Sequence, residues 1–218
     1  APFVHVIQVP PLFCNCSIIG DDETQEAVVV DPGDAEEVLQ ILRSKGLKCK
    51  QVLVTHGHLD HILGARELKE ATGAAIVINA QDLPLWERVG AQCADFGVAA
   101  PLAPLPAPDA FCEDAQEVTV SGSLRYRCLA CPGHTPGSTS FVFPESKLLC
   151  AGDTLFRGGI GRTSWAGIPS LVGTSDSVMI LHSIKDKLLR EDPDTRVITG
   201  HGPETTVGME RTANPFVR

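Results

Sequence analysis

Thr55-His56-Gly57-His58-Leu59-Asp60-His61 follows an apolar strand read at 51–54 and leads into a helix read at 60–72. Three of the chain's seven histidines and a carboxylate crowd into these few positions. Imidazole nitrogen and carboxylate oxygen are the donors that borderline divalent ions take. Histidines two apart in an extended loop can converge on one ion, and Asp60 and His61, at the next turn, can face a second. The alternative, a solvated polar loop after a strand, leaves that crowding without a cause.

Working outward, three more candidate ligands each stand just after a strand. His134 follows the strand read at 124–129, in C-P-G-H-T-P-G-S. Asp153 follows 147–150, in A-G-D-T-L-F, and His201 follows 196–199, in T-G-H-G-P. Strand ends in layered α/β folds deliver side chains to a shared edge. Glycine or proline stands beside every one of these residues, and such residues fix turn direction to the tolerance a metal demands. His5, inside the first strand, and His182, inside a helix, lack this setting and read as structural or surface residues.

The rest of the chain alternates short apolar strands with amphipathic helices. Strands are read at 4–9, 14–19, 27–30, 51–54, 75–78, 117–120, 124–129, 138–143, 147–150 and 196–199, and helices at 34–45, 60–72 and 177–189. Residues 99–109 carry prolines at 101, 104, 106 and 108, which forbid a regular helix or central strand. They read as a stiff surface connection, with part of a lid beside a site as the alternative. The strands outnumber what one parallel sheet needs, so the expected α/β architecture is four-layered: two sheets face to face with helices outside. One domain spanning 1–218 is expected, because the candidate ligands come from both sides of the proline-rich segment.

A net charge of −9 argues against a nucleic-acid partner, since phosphate-backbone affinity comes from clustered Lys and Arg. No apolar run approaches the roughly 18 to 20 residues that span a bilayer, so no membrane partner is expected. Eight cysteines in a chain that is neither short nor visibly secreted are expected to be reduced thiols. Cys128 and Cys131 form one C-x-x-C without a second pair, on a segment read as strand, and read as core or edge thiols. An intracellular setting follows: cytoplasmic, or an organelle interior if a transit peptide preceded Ala1.

H-x-H-x-D-H at 56–61, followed by separated His134, Asp153 and His201, resembles the signature of the metallo-β-lactamase superfamily over nearly the whole chain. Within it, G-D-T-L-F-R-G-G-I-G-R-T at 152–163 and G-H-G-P-E-T-T-V-G-M-E-R-T-A-N-P-F at 200–216 are similar to motifs of short hydroxyacylglutathione hydrolases, or glyoxalase II, lacking the C-terminal helical domain. The resemblance implies an αβ/βα sandwich. It implies one divalent ion on His56, His58 and His134 and a second on Asp60, His61 and His201, with Asp153 bridging. Zinc is expected, and the all N/O donor set also accepts iron or manganese.

The implied reaction is metal-dependent hydrolysis of a small-molecule thioester derived from glutathione, such as S-lactoylglutathione. A hydroxide shared by the ions attacks, because zinc lowers the pKa of bound water to about 7. Asp60 is the implied catalytic residue, orienting that hydroxide as well as binding metal. Asp153, where many true β-lactamases carry cysteine, departs from their pattern. Ser164 stands where many relatives carry aspartate, and 165–176 is unusual. Arg157 and Arg162 have two readings, neutralising substrate carboxylates or supporting the loop. The alternative function in the same superfamily is an iron-dependent persulfide dioxygenase acting on glutathione persulfide, with one iron on two histidines and an aspartate. Lactonase and nuclease activities are weaker alternatives, and a noncatalytic scaffold is disfavoured because all seven ligand candidates are present.

Overall fold

The computed structural model describes residues 2–218. The first sheet has the order β1 (Pro2–Val9), β2 (Cys14–Asp21), β3 (Glu26–Val30), β4 (Lys48–Leu53), β5 (Ala75–Ile78) and β6 (Ala110–Phe111). Its first three strands are antiparallel, and β3 through β6 run parallel. The parallel strands need crossovers. Those are α1 (Glu36–Ser44), the pair α2 (Leu59–Ile62) and α3 (Ala65–Thr72), and then α4 (Leu83–Glu87) and α5 (Val89–Phe96).

The second half adds β7 (Glu117–Ser121), β8 (Leu124–Ala130), β9 (Thr139–Phe143), β10 (Leu148–Gly152), a small hairpin of β11 (Leu155–Phe156) and β12 (Gly159–Ile160), α6 (Ser177–Asp186), β13 (Arg196–Thr199), β14 (Thr205–Thr206) and α7 (Val207–Ala213). The second sheet runs β14-β13-β10-β9-β8-β7.

Strand alternation builds the layers. Val28, Val30, Leu53 and Val77 of the first sheet meet Tyr126, Cys128, Phe141, Phe143, Leu148 and Ile198 of the second in one buried cluster. Val29, Val52, Val54, Ile76 and Ile78 face the other way, onto Val38, Leu42, Leu68 and Val89 of the helices. Leu129, Val142, Leu149 and Val197 likewise pack against Ile180, Ile184 and Val207. Strands buried on both faces read as continuous apolar runs, as these do. The architecture is the expected four-layer α/β/β/α sandwich.

Several boundaries differ from expectation. The helix read at 60–72 is two helices, broken where Gly64 donates its N–H to Pro32 O at 2.8 Å. A Cβ there would lie 2.5 Å from the Asp34 carbonyl carbon, so this close crossing of the chain admits only glycine. The helix read at 34–45 begins at Glu36, and that read at 177–189 ends at Asp186. Helices α4, α5 and α7 and the β11–β12 hairpin were not anticipated.

Residues 99–109 are irregular, as the prolines require. Trp86 Nε1–H donates to Pro106 O at 3.0 Å, and the Arg66 guanidinium donates to Pro104 O. Their cavity, shared with Leu83, Val89 and Phe111, is lined by none of the seven ligand candidates. The segment is thus a pinned surface connection, not a lid on those residues. All eight cysteines are free and buried. Cys128 faces the inter-sheet core and Cys131 the helix layer, so the C-x-x-C is no functional unit. Among the described residues no helix is long and apolar enough to cross a membrane.

Candidate metal centre

The parallel and central strands end at one edge of the sandwich, and the loops leaving them carry the chemistry. The loop after β4 supplies His56 and His58, and α2 supplies Asp60 and His61. From the second sheet, β8 leads to His134, β10 to Asp153 and β13 to His201. Close approach is enforced at Gly200, where a Cβ would sit 1.8 Å from Asp153 Oδ1. All seven residues predicted from the sequence come together here, and His5 and His182 do not.

Two groups form. Donor atoms of His56, His58 and His134 lie within 4.8 Å of one another, as do those of Asp60, His61, Asp153 and His201. Asp153 Oδ2 is central: it lies 3.6 Å from His56 Nε2, 3.4 Å from His61 Nε2, 3.5 Å from His134 Nε2 and 3.7 Å from His201 Nε2. Asp60 Oδ2 lies 2.8 Å from His201 Nε2 and 3.4 Å from His61 Nε2.

The far side of three of the rings, those of His56, His61 and His134, fixes which nitrogen faces inward. Thr55 donates its N–H to Asp31 Oδ1 and its hydroxyl to Asp31 Oδ2, both at 2.7 Å. Having spent its proton, the Thr55 hydroxyl accepts from His56 Nδ1–H at 2.9 Å. His61 Nδ1–H donates to Asp31 Oδ2 at 2.7 Å, and His134 Nδ1–H donates to Arg162 O at 2.7 Å. Each contact occupies Nδ1 and turns Nε2 inward, toward the other donors.

Cys14, Asp31 and His61 also cluster. Asp31 already takes the His61 Nδ1 proton, so this cluster is the back support of His61 and not a separate donor set.

The donor set fits a cation on its own evidence. Among the described residues, His56 Nε2, His58 Nε2, His134 Nε2 and Asp153 Oδ1 are buried without a hydrogen-bond partner. A buried polar atom left unpaired costs about 1–3 kcal/mol. The three imidazole nitrogens converge, and a metal ion satisfies them together where no donor of the chain does.

The electrostatics divide the two groups: burial opposes charge on His61, yet Cys14 and the carboxylates of Asp60, Asp153 and Asp31 outweigh it and hold its pKa well above the usual imidazole range. Burial pushes His56 and His58 well below the usual imidazole range, leaving neutral ligands. Burial also opposes charge on Asp60, but His61 and His201 outweigh it and hold the carboxyl well below its usual range. His201 is raised by its hydrogen bond to Asp60.

Sequence reasoning missed the supports. Asp31 stands directly after a strand in D-P-G, at a positive φ of 56°, which was a readable signal. Asp82 and Gln92 were not readable. Gln92 donates to Gly57 O at 2.9 Å and accepts from Leu59 N at 3.0 Å, clamping the histidine loop. Trp165 covers the first group, its ring centroid 5.2 Å from His58 and 5.7 Å from His134. The Arg162 guanidinium stacks 4.4 Å from the Trp165 ring, and its Nε–H donates to Ser164 O at 2.6 Å, so it supports the loop. Arg157 is exposed.

Comparison with known proteins gives the same picture. The chain is 37% identical to hydroxyacylglutathione hydrolase GloC of Haemophilus influenzae, over 98% of this chain and 97% of that one. Among solved structures, the BLEG-1 B3 metallo-beta-lactamase superposes with a TM-score of 0.87 at 29% identity, covering 99% of each chain. TTHA1623 in a di-iron-bound form superposes with a TM-score of 0.85 at 34% identity, covering 98% of this chain and 100% of that one. The profile of one family matches residues 9–201, and with its strand-end histidines and paired sheets this chain belongs to the metallo-beta-lactamase superfamily.

Proposed function

We propose that this chain is a metal-dependent thioester hydrolase, with S-lactoylglutathione as the reference substrate. The observation that carries the reading is the convergence of the buried, unpaired imidazole nitrogens of His56, His58 and His134 beside Asp153. In this reading His56, His58 and His134 hold one divalent ion, Asp60, His61 and His201 a second, and Asp153 stands between them. Zinc is the expected ion, and iron or manganese suits the same donors. The name of the Haemophilus relative supports the substrate class, and the di-iron neighbour supports two positions.

Two bound divalent ions would supply Lewis acidity toward a carbonyl and bring a coordinated water's pKa near 7. The chain's own part is orientation and proton handling. Asp60, whose Oδ2 lies 2.8 Å from His201 Nε2 and 3.4 Å from His61 Nε2, is the carboxylate placed to orient a water and relay its proton. Substrate enters beside His201, whose side chain is 34% exposed against 3% or less for His56, His61 and His134. Trp165 keeps water from the other side. Because both sheets contribute, the reading takes residues 1–218 as one working domain. Eight buried free thiols support an intracellular setting, cytoplasmic or within an organelle.

The persulfide dioxygenase alternative uses one iron on two histidines and an aspartate. A second group of donors at Asp60, His61, Asp153 and His201 favours the hydrolase. The deciding assay measures S-lactoylglutathione cleavage and oxygen uptake on glutathione persulfide, with metals quantified on the same sample. Thioester cleavage that a chelator abolishes is expected. Oxygen consumption without thioester cleavage would overturn the proposal.

A further inference from the structure

Asp82 is a fully buried carboxylate with no part in the chemistry proposed above. It lies in the turn between β5 and α4, on the first-sheet half. Its Oδ2 accepts the Gly57 N–H at 2.8 Å and the Thr135 hydroxyl at 2.7 Å, and its Oδ1 accepts the Gly137 N–H at 2.6 Å.

Gly57 separates His56 from His58, and Thr135 and Gly137 follow His134. One carboxylate therefore grips the two loops, from opposite sheets, that carry the three-histidine group. It makes no hydrogen bond to the loops of Asp153 or His201 or to the helix of Asp60 and His61. The fit is tight, since a Cβ on Gly137 would lie 2.7 Å from Asp82 Oδ1. Hydrogen bonds to an ionised acceptor are roughly twice as strong as neutral ones and more directional. Burying a carboxylate is costly unless such bonds offset it. A tie serving stability alone would cost less with apolar packing.

We propose that Asp82 is a positioning residue that sets the spacing of the His56, His58 and His134 nitrogens, and so governs how tightly that group holds its ion. The other group leans instead on Asp31 through His61. The inference rests on the metal assignment proposed above. It predicts that Asp82 acts on one position and not the other.

Asp82→Asn keeps the shape, but its amide group must oppose backbone N–H or hydroxyl donors with donors of its own. The comparison variant is Glu210→Gln. Glu210 is another buried carboxylate, accepting from Gly158 N, the Thr205 hydroxyl and Asn214, and it touches neither loop of the three-histidine group. Full-length wild type and both variants are stripped with chelator, checked by circular dichroism and titrated with Zn²⁺. Absorption spectra are then recorded during Co²⁺ loading.

In Asp82→Asn, one of two metal equivalents should weaken by about 10- to 100-fold while the other holds, with an altered visible Co²⁺ spectrum. Glu210→Gln should lower the melting temperature yet leave unchanged the affinity that weakens in Asp82→Asn. Two wild-type affinities with an unchanged Co²⁺ spectrum in Asp82→Asn would overturn the inference, as would equal weakening in both variants. Should Asp82→Asn fail to fold, Gly137→Ala disturbs the same contact and is held to the same outcomes. A wild-type chain that binds no metal would overturn the metal assignment itself, and no variant is needed to see that.

Discussion

The two ends of the sandwich use the same device to opposite effect. At the end away from the histidines, buried Asp21 closes β2. It accepts from Glu23 N at 2.8 Å, from Ser123 N at 2.9 Å and from the Ser123 hydroxyl at 2.8 Å, joining its turn to the β7–β8 turn of the other sheet. At the histidine end Asp82 joins the sheets in the same way, also with three hydrogen bonds. The difference lies in what is left over. Around Asp21 donors meet acceptors, whereas beside Asp153 the buried Nε2 atoms of His56, His58 and His134 come together unpaired. Burial and hydrogen bonding hold both ends closed. A surplus of lone pairs marks the end suited to a cation.

Substitutions at the two ends should separate accordingly. The largest effect is expected from Asp153→Ala, which removes the oxygen lying 3.4 to 3.7 Å from four histidines. Metal content and thioester turnover should both fall by more than the roughly 10- to 100-fold typical of outer supporting residues. Near-normal turnover at normal metal content would refute the central role given to Asp153.

A middle effect is expected from Thr55→Val, which leaves His56 Nδ1–H without its acceptor and removes one of the two donors to Asp31 Oδ2. Metal affinity measured by chelator competition should drop by about 10-fold or more. No change would mean that the ring of His56 is oriented by packing alone.

The smallest effect belongs to the far end and appears as pH dependence. Hydrogen bonds from Ser123 and Glu23 lower the Asp21 pKa from 3.8 to about 2. A depressed carboxylate contributes stability above its unfolded pKa, and that contribution is lost as pH falls through the folded value. In chelator-treated protein, Asp21→Asn should therefore be less stable than wild type near neutral pH, with the gap narrowing between about pH 4 and about pH 2. Urea midpoints at several pH values would show it. A gap independent of pH would exclude the carboxylate's charge as the cause, and any change in metal affinity would blur the distinction between the ends.

All seven proposed ligands were legible in the sequence, because His and Asp are chemically conspicuous and each follows a strand whose apolar run marks where it ends. The layers were legible for the same reason, since runs such as Ala27 to Val30 are buried on both faces. Asp82 was hidden because Asn79-Ala-Gln-Asp82 looks like any polar turn, and its partners lie 25 to 55 residues away. Gln92, inside a helix, makes contacts that no helical period reveals. The break at Gly64 escaped for a related reason: what forces it is the chain at Pro32 to Ala35 crossing closely above. Local pattern records what a residue is, and only tertiary contact records what it must avoid.

One geometric fact reaches further than the site itself. A single oxygen of Asp153 faces imidazoles of both donor groups, so a cation drawn to either would alter the field felt by the other. Occupancies sharing such an atom are thermodynamically linked, and the influence of one upon the other is equal in both directions. Evolution acting on residue 153 cannot tune one half in isolation, and independent adjustment has to come from surrounding pillars such as Asp31 and Asp82.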